Sequence, residues 1–242
     1  MINTLIFKTP KQAAKAAAMI FASTLYQKPD AVFGLATGST PVELYKRLIK
    51  LNNDGLIDFS KAMTFNLDEY VGLEGTHDQS YRYFMNEQLF NHINIDKSRT
   101  FVPSGIGDVE QNARDYDQMI IKVGGIDLQL LGIGHNGHVG FNEPNDEGFP
   151  GGTNIPDLTQ STIDANSRMF ESADDVPKKA ISLGLNGIMN AKRVILIATG
   201  AGKAEAVAGA INGPITTKNP ASMLQMHSNV QFLLDEEAAS LL

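Results

Sequence analysis

Residues 31–48 read AVFGLATGSTPVELYKRL. An apolar run, Ala31–Ala36, meets four turn residues and then a helical pattern opened by Pro41. A short continuous apolar run is expected of a strand buried on both faces. Thr40 suits a helix N-cap and Pro41 the first helical position. Glu43, three residues after Thr40, completes a capping box. The stretch therefore predicts strand, tight turn and helix in immediate succession. The same order recurs at Val194–Ala198, where Thr199-Gly200-Ala201-Gly202-Lys203 leads into another helical pattern.

Working outward, strands are expected at Asn3–Phe7, Met63–Asn66, Thr100–Val102, Leu128–Leu131, Ala180–Leu183 and Val230–Leu234. Helices are expected at Lys11–Gln27, Pro41–Leu51, Ser80–Phe90, Glu110–Lys122, Leu185–Asn190, Gly202–Ile211 and Ala221–Met226. Alternation of this kind implies an α/β fold, an open and mostly parallel sheet with helices on both faces. Residues 1–242 are expected to form a single domain, with right-handed crossovers. In such sheets a ligand sits beyond the carboxyl ends of the strands. The chemistry should therefore lie just after each strand.

Composition narrows the function. The 242 residues include 20 basic and 27 acidic side chains, a formal net charge of −7, and no cysteine. Without cysteine there are no disulfides, thiolate metal sites or thiol nucleophile. A negative balance argues against general nucleic-acid binding. No apolar stretch is long enough for a membrane span. The N-terminus lacks the pattern of a secretory signal, so a cytoplasmic location is expected.

Three post-strand segments carry chemistry. The Thr37-Gly38-Ser39-Thr40 turn offers backbone N–H groups, hydroxyls and a helix N-terminus to an anion, or else is simply a well-made helix start. Lys203, expected in a first helical turn, opposes the helix dipole unless it meets an anion; a solvated lysine is the alternative. Asp68 and Glu69 follow the strand Met63–Asn66 and suit either a general base or an ordinary loop carboxylate. No GxxxxGK[ST] stretch indicates a nucleoside triphosphate.

The segment Gly132–Gly152 holds seven glycines in 21 residues, with Pro144 and Pro150. A long irregular segment inside a compact domain is usually functional. Gly132, Gly134 and Gly137 match GxGxxG, but Asn142, Pro144 and further glycines preclude the helix that a dinucleotide site requires. His135, Asn136, His138 and Glu143 crowd the loop. His138 with a carboxylate five residues on suits an acid–base pair. Two histidines and one glutamate also raise zinc, yet HExxH is absent and no third clear ligand follows. No GxSxG elbow supports a serine hydrolase.

Taken together, LATGSTPVELYKRL (35–48), FNLDEYVGL (65–73), HDQSYRYFM (77–85), LLGIGHNGHVGFNEP (130–144), ANSRMF (165–170) and GAGKA (200–204) resemble the glucosamine-6-phosphate deaminase (isomerising) family. The resemblance runs along nearly the whole chain. It implies a Rossmann-like fold and conversion of glucosamine 6-phosphate and water to fructose 6-phosphate and ammonia, with no metal or organic cofactor. By position, Asp68 looks like the base at C2, His138 the ring-opening group and Glu143 its orienting partner. The phosphate site would comprise Thr37, Gly38, Ser39, Thr40, Arg168 and Lys203.

Two departures from the family pattern stand out. Many members carry an aspartate where this chain has Asn136, which retains hydrogen bonding without charge. The histidine–glutamate pair is then expected to carry ring opening, and Asn136→Asp to change activity by less than about twofold if the amide's role is only to donate and accept. Allosteric hexameric members use basic residues after the FNEP segment, whereas here no lysine or arginine lies between Glu143 and Arg168. The chain also stops soon after Leu234, without their longer extension. A non-allosteric monomer is expected. The rival functions are a 6-phosphogluconolactonase-like hydrolase and a non-catalytic sugar-phosphate sensor; a sensor should lack Asp68 or His138.

Overall fold

The computed structural model describes residues 2–167, 170, 172 and 175–242. Seven strands form the main sheet: β1 (Asn3–Phe7), β2 (Val32–Leu35), β3 (Met63–Asn66), β5 (Thr100–Phe101), β6 (Leu128–Leu131), β8 (Val194–Ala198) and β9 (Val230–Asp235). Their order is β1-β9-β8-β6-β2-β3-β5. Every pairing in it is parallel. The central strands β2, β6 and β8 are buried at every position, which is why they read as apolar runs, broken only by Gln129 in β6.

The helices are α1 (Pro10–Gln27), α2 (Val42–Asn53), α3 (Tyr81–Gln88), α4 (Val109–Lys122), α5 (Gln160–Ser167), α6 (Leu185–Met189) and α7 (Ala204–Asn212). Helix α1 shows the logic of the layer. Ala13, Ala14, Ala17, Ala18, Phe21, Ala22 and Leu25 share one buried face at helical spacing. Thr9 caps its start, accepting from the Gln12 N–H at 3.3 Å. Small alanines let the helix lie close to the sheet, where Phe21 stacks on Phe33 at 4.9 Å between ring centroids. Side chains from Ile2 to Ala238 join one continuous core.

The chain leaves the centre of the sheet in two directions. From β2 it moves outward through β3 to β5; from β6 it moves the other way through β8 to β9. The switch lies between neighbours β2 and β6, where open α/β sheets hold their ligands. The outermost strand on the second side is β1, paired with β9 from Asn3 opposite Gln231 to Phe7 opposite Asp235.

Four expectations need correction. Ala180–Leu183 does not enter the main sheet. Its strand β7 (Ala180–Ser182) pairs antiparallel with a short strand β4 (Asp68–Tyr70), with Asp68 opposite Ser182. The Leu183 N–H donates to the Leu67 carbonyl at 2.7 Å, holding this small sheet against the carboxyl end of β3. The Thr40 capping box also does not form. Helix α2 begins at Val42 without a side-chain cap, and Glu43 instead pairs with Arg47 at 2.9 Å. Pro41 is already in the turn, because the Val42 N–H reaches back to the Ser39 carbonyl. Lys203 closes a 3₁₀ turn (Ala201–Lys203) just ahead of α7 rather than lying inside its first turn. Finally, Pro220–Met226 is a 3₁₀ helix instead of an α-helix.

Candidate active site

A cavity of about 770 Å³ opens at the switch between β2 and β6. It is lined by the Thr37–Thr40 turn after β2, by Asp68 after β3, by Gly132–Asn136 and His138 after β6, and by Lys203 after β8. Parallel strands deliver these segments to one end of the sheet, as their order requires.

The β2 turn is shaped by Gly38, whose φ of 92° lies in the left-handed region where other residues are strained. Among the described residues, none accepts from the N–H groups of Gly38, Ser39 or Thr40. Those donors and the Lys203 ammonium face one space. Burial holds Lys203 below the usual lysine range. Its charge, more than burial or His138, holds His135 below the usual imidazole range. Arg168 lies outside the described residues.

Asp68 and its neighbour Glu69 diverge because successive strand residues point to opposite faces. Glu69 turns away from the cavity and caps α3, accepting from the N–H groups of Tyr81 and Arg82 at 2.9 and 3.0 Å and from that of Tyr70 at 2.9 Å. Asp68 turns toward the cavity, 6% exposed, and its carboxyl accepts no hydrogen bond among the described residues. Burial first, and the Glu69 charge second, push its pKa up to about 8. It can therefore hold a proton or release one near neutral pH.

The loop after β6 is a tight, internally bonded turn. The Gly134 N–H donates to the His138 carbonyl at 2.9 Å, and the Gly137 N–H to the Gly134 carbonyl at 3.1 Å. The His138 ring lies across Gly134, where a Cβ would stand 2.4–2.6 Å from ring atoms. Glu143 stands behind the ring, its Oε2 3.3 Å from His138 Nδ1. That approach is an ion-pair contact rather than an aligned hydrogen bond. It leaves Nε2 as the ring atom free to act on a ligand. Asn136 ties the group together: its Nδ2 donates to Glu143 Oε2 at 2.7 Å, and its Oδ1 accepts from the His138 N–H at 3.2 Å. Thr162 of α5 donates to Glu143 Oε1 at 2.5 Å. Burial pushes Glu143 up, but His138, Thr162 and Asn136 outweigh it and hold the carboxyl below the usual glutamate range.

The small sheet fixes this loop beside Asp68. The Ser182 hydroxyl, opposite Asp68 in register, accepts from the Phe141 N–H at 3.0 Å. Asn142 donates to the carbonyls of Val139 and Leu183 at 2.8 and 2.9 Å. Downstream, the Ala221 N–H bonds the Gly137 carbonyl, and Thr217 bonds the Asn145 carbonyl at 2.6 Å.

The structure thus brings Thr37, Gly38, Ser39, Thr40, Asp68, Asn136, His138 and Lys203 to one cavity, with Glu143 behind it. Two lining side chains were not singled out from the sequence, Tyr81 and Thr162. Tyr81 stacks on Phe141 at 6.0 Å with ring planes 12° apart. Tyr81 comes from α3, expected at Ser80–Phe90, whereas Thr162 comes from α5, a helix not expected from the sequence.

Comparison with known proteins follows this geometry. Residues 8–233 match the family model of glucosamine-6-phosphate isomerases/6-phosphogluconolactonase. The chain belongs to this family. A relative from Clostridium perfringens (strain SM101 / Type A), named glucosamine-6-phosphate deaminase, is 56% identical over the full length of both chains. One of the same name from Halothermothrix orenii is 51% identical, again over both full lengths. Among family members of solved structure, a monomeric glucosamine-6-phosphate deaminase superimposes with a TM-score of 0.95, at 43% identity over all of each chain. The 6-phosphogluconolactonase of Trypanosoma brucei superimposes with a TM-score of 0.76 at 20% identity, covering 100% of this chain and 99% of that one. The lactonase likeness shows a shared fold alone.

Proposed function

We propose that this family member is an isomerising deaminase that converts glucosamine 6-phosphate and water to fructose 6-phosphate and ammonia. The observation that carries the reading is a pair of separate proton-transfer stations on one cavity, Asp68 and the His138–Glu143 pair, beside a turn of free N–H groups and Lys203. Full-length relatives named for that activity support it.

The chemistry needs two stations. A pyranose keeps its C1 carbonyl masked as a hemiacetal, so its C2 proton is not acidic until the ring opens. His138 takes the O1 proton and delivers a proton to O5 as the C1–O5 bond breaks. Glu143 steadies the ring and the positive charge it carries in between. The Asp68 carboxylate then removes the C2 proton as the C2 ammonium gives up a proton and O1 gains one, forming an enolamine, and returns the abstracted proton to C1, leaving a ketimine at C2 beside a C1 hydroxymethyl group. Water adds to that carbon and ammonia leaves. The C2 ammonium of an arriving substrate favours the charged form of Asp68, opposing the burial that keeps it protonated at rest. The phosphate would lie on the Thr37–Thr40 turn with Arg168 and Lys203, where backbone N–H groups and cations suit a dianion.

In this proposal residues 1–242 act as one domain, a monomer without an allosteric effector site. The main core, which both ends of the chain join, supports one domain, and the monomeric relative supports a monomer. The reading includes a cytoplasmic role in amino-sugar breakdown, of which the relatives' names support the amino-sugar phosphate substrate. No helix among the described residues is long and apolar enough to cross a membrane.

The test is to incubate the protein with glucosamine 6-phosphate and measure ammonia and fructose 6-phosphate together. Both are expected in equal amounts. Neither product, with substrate still bound, would make the chain a sensor. Hydrolysis of a 6-phosphogluconolactone without deamination would make it a lactonase.

A further inference from the structure

We propose that Thr162 is a positioning residue that fixes the Glu143 carboxylate, and through it the His138 ring. This rests on the deaminase reading above.

A carboxylate rotates easily about its terminal bond, because that torsion is broad and two-fold. Two oxygens that exchange places cannot hold one ring in one orientation. In this protein the oxygens are made unequal. Oε2 faces Asn136 at 2.7 Å and His138 at 3.3 Å, both from the glycine-rich loop that Glu143 itself ends. Oε1 faces Thr162 at 2.5 Å, from helix α5, nineteen positions along the chain. Only the second anchor comes from outside the loop. It therefore resists a rotation that the loop alone would follow.

Thr162 is suited to this in three ways. It is buried, 6% exposed, so water competes poorly for the carboxylate. Its β-branched side chain has few rotamers in a helix. Its hydrogen-bond polarity is also set. The ionised carboxylate can only accept, so the single proton of Thr162 goes to Glu143. The Thr159 hydroxyl in turn donates to Thr162 at 3.1 Å. The Thr159–Thr162–Glu143 chain then ends on the two loop groups. Thr162 also borders the cavity, so the anchor and the substrate space share a wall. Among the described residues, the charged or titratable groups around this carboxyl are His138 directly, with Asp68, Tyr81, His135 and Lys203 across the cavity.

Thr162→Val keeps the shape and removes the donor, whereas Thr162→Ser keeps the donor and removes the methyl. The Val variant is expected to lose about tenfold in kcat with KM little changed, a fraction of the roughly 10²–10⁴-fold that a positioned acid–base group supplies. Carbon-13 NMR titration of the Glu143 carboxyl should show its pKa moving up in the Val variant and returning toward the parent in the Ser variant. The kcat should recover with it. Unchanged kcat and an unmoved titration in the Val variant would overturn the proposal. So would a Ser variant as impaired as Val, since packing of the methyl would then be the cause. Should Val fail to fold, Thr162→Ala takes its place in the same comparison. The titration needs no turnover. A shift of the Glu143 titration in a chain that releases no ammonia would therefore break the deaminase reading and leave the anchor standing.

Discussion

Asp68 and Glu143 serve the same cavity, and their surroundings push them in opposite directions. Both are largely buried, and burial pushes both carboxyls up. Among the described residues Asp68 has no hydrogen-bond donor to offset this, and a second carboxylate adjoins it, so it rises to about 8. Glu143 is bonded by Thr162 and Asn136 and faces His138, so it falls below its ordinary range. Burial does not by itself decide the protonation state; at Glu143 the facing imidazole, together with the Thr162 and Asn136 donors, outweighs it. An undonated carboxyl can exchange a proton at neutral pH. A well-donated one stays charged and serves as a fixed negative support.

The largest break in this contrast is Asp68→Asn. Loss of about 10³-fold in kcat is expected, within the range of a removed acid–base group, with binding of glucosamine 6-phosphate largely kept. Near-normal turnover would remove Asp68 from the role of base. The same variant tests the raised pKa. In the parent the folded state keeps a proton that the unfolded chain releases near pH 4, so this group stabilises the fold at low pH. That contribution declines steadily up to the folded pKa of about 8 and then levels off. Thermal melts between pH 5 and 9 should show the decline in the parent and lack it in Asp68→Asn. Parallel curves would contradict it.

Next in size is Gly134→Ala. The added Cβ takes space now held by the His138 ring, so the ring must leave its place in front of Glu143. A loss of about 10²-fold is expected, since displacement of a reacting group by about 1 Å costs that much. Full activity with an unchanged fold would show that the ring does not work from this position. The smallest effect is expected of Asn136→Asp. From the sequence, an effect under about twofold was expected if the amide merely donates and accepts. The 2.7 Å bond to Glu143 changes that expectation, because aspartate would bring a second carboxylate to Oε2. A loss of roughly twofold to tenfold in kcat follows, in keeping with the about 0.5–1.5 kcal/mol net worth of one hydrogen bond. It should shrink as pH falls and the pair gains a proton. A gain in rate would refute the role of the amide as donor.

The sequence made the main sheet legible because β2, β6 and β8 are buried on both faces and are apolar apart from Gln129 in β6. The cavity was legible because four of its walls are segments that follow directly on those strands and β3. The small sheet was not. Strands of three residues, such as β4 and β7, are too short to show a period. Glu69 was equally opaque: its partners lie twelve and thirteen positions on, at the start of α3. The capping box at Thr40 failed for a related reason. A pattern of residue types cannot say that the chain will turn one residue longer and present Thr40 to the cavity. Thr162 carries no motif, and only the folded chain brings it to Glu143.

The pairing of β1 with β9 has a consequence for how the molecule comes into being. A ribosome makes β1 first and β9 last, yet β1 has no other neighbour in the sheet. During synthesis the first strand must therefore wait, its edge unsatisfied, until nearly the whole chain has emerged. The segment that reaches back to the Gly137 and Asn145 carbonyls, Thr217–Ala221, also emerges late. A nascent chain halted before that segment has every proton-transfer group already made and no means of holding their loop in place. Contacts so distant along the chain make for slow closure, and here the last piece added secures both the edge of the sheet and the loop at its centre.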